Sequence, residues 1–235
     1  LGRILAIDTS TELCSVAIQF GQEISERFES VPRQHNRRLF SMLAELLPSG
    51  DLSALQIDAL AYGQGPGSFT GLRIAASAVQ GLAYAHGLPV IGVSTLLCQA
   101  QSALRLGLVS QQDKVLSLID ARVDELYWSV LTFEQGVAVE SAKPRVCKPE
   151  QLLLDDDTEV VAIGSGLHYK ERLPQVTRRC IVNCYEQCNP YARDLLPVAN
   201  DRLQAGKVSA PMTVAPHYVR REISWKKLPQ QGKPQ

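Results

Sequence analysis

The chain has 235 residues, enough for one large domain or two small ones, and its 24 Lys and Arg balance 24 Asp and Glu. A formal net charge of zero excludes attachment to nucleic acid through the global field, so any RNA contact must be local or run through a partner. No apolar run approaches the ~20 residues needed to cross a bilayer, and the N-terminal stretch lacks the pattern of a signal peptide; a cytoplasmic chain with no membrane contact is expected.

Residues 4–18, ILAIDTSTELCSVAI, read as strand, tight polar turn and strand. The turn places Asp8 ahead of Thr9, Ser10 and Thr11. Such a group either cradles a metal-phosphate moiety or is an aspartate bonded to its own turn. Residues 35–47 carry Leu39, Met42, Leu43, Leu46 and Leu47 at helical spacing, with Arg37, Arg38 and Glu45 largely off that face.

The strongest local motif is Gly63-Gln64-Gly65-Pro66-Gly67-Ser68-Phe69-Thr70-Gly71-Leu72-Arg73, a glycine-rich bend running into an Ala-rich helix over 70–85. It is neither a Walker loop nor G-x-G-x-x-G, since Ser68 stands where the third glycine belongs. A helix N-terminus could hold an anion there. Tight turning and close helix packing are the favoured role of these glycines. Gly71, Ala75, Ala78 and Leu82 form one small-residue stripe. A strand over 89–93 and a helix over 94–106 follow, with Ser94 or Thr95 as its cap.

Residues 116–131, LSLIDARVDELYWSVL, repeat the opening hairpin with one extra turn residue, so that Asp120 falls on Asp8 and Glu125-Leu126 on Glu12-Leu13. Two copies predict duplicated α/β lobes facing each other. The second half is plainer: a short strand over 160–163, the turn Gly164-Ser165-Gly166, and a helix over 190–205 with Pro190 in its first turn. The boundary is placed between residues 106 and 107, with a smaller second lobe over 107–235. Residues 217–228 interleave Arg220, Arg221, Lys226 and Lys227 with Tyr218 and Trp225, a solvated tail or partner contact before an RNA site.

The six cysteines, Cys14, Cys98, Cys147, Cys180, Cys184 and Cys188, fit a reducing compartment. Cys180, Cys184 and Cys188 recur every four residues without a C-x-x-C knuckle, so no metal site is expected from them. There is no G-x-S-x-G and no H-E-x-x-H, and His35, His86, His168 and His217 lie far apart in sequence.

GPGSFTGLR, DAR-x-x-E-x-Y (Asp120 to Tyr127), the helix headed by PRQH and the segment PHYVRREISWKKLP occur in the order seen in the TsaB (YeaZ) family, which the chain resembles over nearly its whole length. The resemblance implies duplicated actin-like ATPase lobes (ASKHA, ribonuclease H-like), the second reduced. It implies a non-catalytic subunit for N6-threonylcarbamoyladenosine (t6A) formation at position 37 of tRNA. The implied partners are the catalytic protein TsaD and the ATPase TsaE, with a homodimer in isolation and tRNA met only through the complex.

TsaD-like relatives carry an H-x-x-x-H pair after the strand matching 89–93, where this chain reads Ser94-Thr95-Leu96-Leu97-Cys98-Gln99. Their glycine-rich turn corresponds to Asp120-Ala121-Arg122-Val123. The resemblance therefore leaves no catalytic residue, no metal and no cofactor of its own. Asp8, Thr9, Ser10, Thr11, Asp120 and Arg122 remain as a vestigial phosphate site, with ADP or ATP conceivable at a complex interface. The partner surface is placed on the two helices, at His35, Leu39, Leu43, Thr70, Gly71, Arg73, Ile74, Ala75, Ala78 and Leu82. The rival readings are a small-molecule kinase or ATPase built on Asp8 and Asp120, and, behind it, a peptidase.

Overall fold

The repeated hairpin starts each of two sheets. The structure is a computed structural model that describes residues 1–47, 51–155 and 157–220. Strands β1 (Ile4–Asp8), β2 (Leu13–Phe20) and β3 (Glu23–Ser30) run antiparallel, with Asp8 opposite Ser15. After helix α1 (His35–Leu46), β4 (Ala59–Gly65) joins β1 in parallel; after α2 (Phe69–His86), β5 (Val90–Ser94) joins β4. The sheet order is β3-β2-β1-β4-β5. β1 is buried along its length because helices cover both faces of the sheet, whereas the outer strand β3, EISERFES, carries the charges that suit an edge.

Helix α3 (Thr95–Arg105) leads to β6 (Val115–Asp120), β7 (Leu126–Glu134), β8 (Val137–Glu140) and the short β9 (Arg145–Cys147). Then come β10 (Val160–Ile163), α4 (Gln175–Cys180), β11 (Ile181–Tyr185) and α5 (Ala192–Gln204). Read from β8, the second sheet runs β8-β7-β6-β10-β11, three antiparallel strands and then two parallel ones. That is the order of the first sheet. Where the first copy has α1 the second has only β9 and a 3-10 turn at Pro149–Gln151, and where it has α2 the second has a 3-10 stretch at Ser165–Arg172 and the six-residue α4. The duplicated actin-like layout with a reduced second lobe is thus present.

The boundary expected after residue 106 falls between the two sheets in sequence; one apolar cluster spans it, and two others take their buried residues from one side each. Helix α3 packs on β6 and β8 of the second sheet and also on β4 and β5 of the first, while α5, which follows the second sheet, packs on β1, β2, β4 and β5. One apolar cluster holds both helices and reaches both sheets: Ala6, Ala61, Val93, Leu97, Ala100, Val115, Leu131, Ile163, Leu195 and Ala199 belong to it. Beyond α5 the chain returns to the first lobe, where Val90 and Ser209 exchange backbone hydrogen bonds of 2.9 and 2.8 Å. The helix predicted over 190–205 begins at Ala192, with Pro190 ahead of it and Pro197 inside it. Of the basic C-terminal segment, residues 221–228 lie outside the described residues.

The extra turn residue of the second hairpin is accommodated by three consecutive left-handed residues, Arg122, Val123 and Asp124, at φ 62°, 55° and 59°. The turn closes through Ala121 N–H on the Glu125 carbonyl at 2.9 Å. Val123 is the costliest of the three, because a β-branched side chain clashes with its own backbone at positive φ, and its side chain is exposed. Val123→Gly is expected to raise unfolding stability by about 1 kcal/mol, read from the urea midpoint.

Candidate functional site

Three loops meet where the two sheets face each other: the Asp8 turn, the glycine-rich bend and the start of α3. Asp8, Thr9 and Ser10 are fully buried. The Asp8 Oδ1 accepts from the Ser10 amide at 2.9 Å and the Ser10 hydroxyl at 2.7 Å, while Oδ2 has no partner among the described residues. Desolvation pushes the Asp8 pKa up from 3.8 to about 6, against the opposing pull of the two Ser10 bonds.

The glycine bend is pressed onto this turn. A Cβ on Gly63 would stand 1.9 Å from Asp8 Oδ2, one on Gly71 would stand 1.9 Å from the Thr9 carbonyl, and one on Gly67 would stand 2.3 Å from the Ser10 carbonyl. Thr9 Oγ1 donates to the Gly71 carbonyl at 2.7 Å, and the Ser68 amide donates to the Ser10 carbonyl at 2.7 Å. Ser68 caps α2 by accepting from the Gly71 amide at 3.2 Å. The glycines therefore allow backbone to meet backbone. The described bonds of Asp8 are to its own turn, and Asp8, Thr9 and Ser10 lie buried beneath the glycine bend. Thr11 is half-buried and accepts from the Leu13 amide at 3.2 Å.

The start of α3 is filled as well. Thr95, Leu96, Leu97, Cys98 and Gln99 are buried. The Gln99 amide donates to the Cys188 carbonyl at 2.8 Å and accepts from the Ser117 hydroxyl at 2.5 Å, so it ties α3 to the second sheet. Cys98 donates its thiol to the Tyr191 carbonyl at 3.3 Å, and burial drives its pKa well above the ordinary thiol value. Asp120 sits across the interior, half-buried, accepting from the Arg122 amide at 2.8 Å; the Arg122 guanidinium lies 3.6 Å from its other oxygen. Asp120 and Arg122 thus bond to each other in their own turn. Cys180 and Cys188 are buried in different clusters and Cys184 is exposed, so the three thiols do not converge.

The helices expected to carry a partner surface divide into an inner and an outer set. Leu39 and Ala75 are fully buried, and Leu43 and Gly71 are buried too. These four are corrected to core positions: the apolar period of a helix marks the side facing its own sheet first. His35 is also buried, beside the backbone of Thr11 and Leu13, and burial lowers its pKa. Leu82 is half-buried against the core. Thr70, Arg73 and Ile74 line an open hollow of about 450 Å³ floored by Ala78, together with Asn36, Phe40, Phe69 and Ser77.

Phe40 and Phe69, 60% and 48% exposed, were missed because neither falls on the core stripe. An aromatic among Arg37, Arg38, Ser41 and Glu45 is the sequence signal for it. Around Phe69 the C-terminal segment is docked: Tyr218 stacks at 5.5 Å between ring centres, and Arg73 lies 3.8 Å over the Phe69 ring while donating to Tyr218 Oη at 3.0 Å. From there the segment crosses to the second lobe, where Arg220 donates to the Ala121 carbonyl at 3.2 Å and pairs with Glu125.

The family model described as TsaD: tRNA N6-adenosine threonylcarbamoyltransferase matches residues 28–224. The tRNA threonylcarbamoyladenosine biosynthesis protein TsaB of Escherichia coli K12 is 39% identical over 97% of this chain and 98% of its own. The chain belongs to the TsaB (YeaZ) family. The TsaB of Haemophilus influenzae is 37% identical over 96% of this chain and 97% of its own. YeaZ from Pseudomonas aeruginosa has the same fold at a TM-score of 0.84 and 38% identity, covering 93% of this chain and 100% of that one.

Because the folded chain holds Asp8 in its neutral form to about pH 6 and the unfolded chain releases that proton near 3.8, the native state binds the extra proton between these values. Stability is fully present below the lower value and falls as pH rises through the upper one, by roughly 3 kcal/mol in all. Asp8→Asn, which keeps the Oδ1 acceptor, is expected to flatten this segment of the stability-pH profile measured by urea unfolding; a profile as steep as the wild type's would contradict the assignment.

Proposed function

We propose that this TsaB-family chain is a non-catalytic subunit in the formation of t6A at position 37 of tRNA, acting by binding and supporting a TsaD-type catalytic protein. The names of its relatives supply the pathway. The observation that carries the role is the division already drawn: the Asp8 turn and the start of α3 are buried, while the outer face of α1 and α2 exposes Phe40 and Phe69 around a hollow. An exposed aromatic pair beside a small-residue floor is the kind of surface that anchors another helix. On this reading TsaD takes that face in the working assembly, and a second copy of the chain takes it when TsaD is absent. TsaE joins the same cytoplasmic assembly, tRNA is met only through it, and any ADP or ATP belongs at an interface of the complex.

The kinase or ATPase reading needs Asp8 to reach a metal-bound nucleotide, and the closed glycine bend stands against it. The peptidase reading needs a nucleophile with a base beside it, and neither the Asp8 turn nor the start of α3 offers that pair.

Two measurements test the proposal. In tRNA modification reconstituted from purified components, omitting this chain should abolish product, and Asp8→Asn should leave it near the wild-type rate; turnover of ATP by the isolated chain at a comparable rate would refute the supporting role. Phe40→Glu with Phe69→Glu should weaken capture of TsaD by at least about tenfold with an unchanged circular dichroism spectrum. Ala75→Glu, by contrast, should unfold the chain, since it buries a charge in the core.

A further inference from the structure

The outer edge of the first sheet holds a recess unrelated to the inter-lobe groups or the α1/α2 face. It is lined by Tyr62, Gln64, Gly92, Arg202, Lys207 and Ser209 among others, and its volume is about 420 Å³. Strand β5 forms its floor, and the alternation of hydrogen-bonding directions along β5 decides which amides face it. The Pro89 carbonyl accepts from Leu60 in the neighbouring strand at 3.0 Å, while Val90 bonds outward to Ser209. Gly92, two residues on, therefore also points its amide and carbonyl outward, beyond the reach of β4.

The Gly92 carbonyl accepts from the Arg202 guanidinium. The remaining guanidinium donors have no hydrogen-bond or ion-pair partner among the described residues. Among the described residues Glu140 is the carboxylate whose charge bears on Arg202, and it lies outside ion-pair distance; burial holds the Arg202 pKa below the ordinary guanidinium value. Lys207 brings a second cation to the same recess, again with no carboxylate paired to it among the described residues. A half-buried arginine without a counter-charge is an unfavourable arrangement for a fold to keep empty-handed. An incoming anion would supply the missing charge.

We propose that this recess binds the phosphate of a small phosphomonoester. Two cations suit a dianion better than a carboxylate, and the Gly92 amide, the Ser209 hydroxyl and the free face of Arg202 offer donors from three sides, matching the oxygens of a phosphate. Tyr62 and Gln64 both donate to the Ala215 carbonyl, at 3.0 and 3.3 Å, and so fix the wall. Val90, Ile91 and Val214 give the apolar lining that an organic portion needs, and the volume falls in the range of small-molecule sites. This inference is independent of the partner-subunit reading.

The test is an amide-resolved NMR titration of the full chain with inorganic phosphate, ribose 5-phosphate and acetate at constant ionic strength, with a tRNA transcript as a fourth arm. Phosphate and ribose 5-phosphate should both move the Gly92 amide, the sugar phosphate binding more tightly, and acetate should leave it in place. Arg202→Gln and Lys207→Glu should each weaken phosphate binding at least tenfold; Lys207 is exposed, so its variant keeps the wild-type melting temperature even if the arginine variant does not fold. Phosphate binding that survives Lys207→Glu unchanged, or a Gly92 amide that does not respond, would overturn the site. Response to tRNA alone, with none to ribose 5-phosphate, would overturn the small-molecule class.

Discussion

The structure depends on two helices packed between its sheets. Helix α3 touches β4 and β5 of the first sheet as well as β6, β7, β8 and β10 of the second, and α5 lies mainly against the first sheet. The two helices meet through Arg105 and Asp194, paired by two hydrogen bonds of 2.7 and 2.9 Å with the Asp194 side chain only 4% exposed. Tyr191 lies under the guanidinium at 5.2 Å. Losing one member of such a pair strands a buried charge and costs about 3–5 kcal/mol. The consequence is mechanical: one apolar cluster, holding both helices, joins the two halves.

The sealed Asp8 turn follows from the same closure. With α5 packed across β1, β2, β4 and β5, the glycine bend is drawn in to touch the turn. Gly63 and Gly71 admit Asp8 and the Thr9 carbonyl where any side chain would stand. Gln99 does for the second sheet what the bend does for the first, spending its amide on Cys188 and Ser117. Groups that could serve chemistry in an open groove are here spent on holding it shut.

Much of this architecture was legible in the residues. The repeat of apolar run, aspartate, turn and apolar run predicted two hairpins in matching positions, and the sheet orders extend that match to five strands of each sheet, leaving only the short β9 without a counterpart among the described residues. Glycines ahead of an Ala-rich helix were read as packing glycines, which the distances to Thr9 and Ser10 explain. What could not be read was which partner each helix chooses. Periodicity shows that α3 and α5 have apolar faces without showing that both pack into a cluster shared by the two sheets. The same limit misplaced Leu39, Leu43 and Ala75: a regular stripe is a helix's debt to its own fold, and only apolar residues that break the pattern, such as Phe40, point outward to something else.

The C-terminal segment joins these themes. It leaves α5 on the first lobe, bonds to Val90, fixes Tyr62 and Gln64 through the Ala215 carbonyl, and places its His217 amide on the Gln64 carbonyl at 2.8 Å. It then passes Tyr218 over Phe69 and ends its described course with Arg220 on the left-handed turn of the second hairpin. One stretch of chain thus touches the rim of the α1/α2 hollow, the glycine bend and the second lobe. A partner that engages Phe69 must either accept Tyr218 as part of its surface or displace it, and displacement would loosen the strap on Gln64 and on the Arg122 turn together. The segment therefore links the outer face and the second lobe through the side chains of Tyr218 and Arg220.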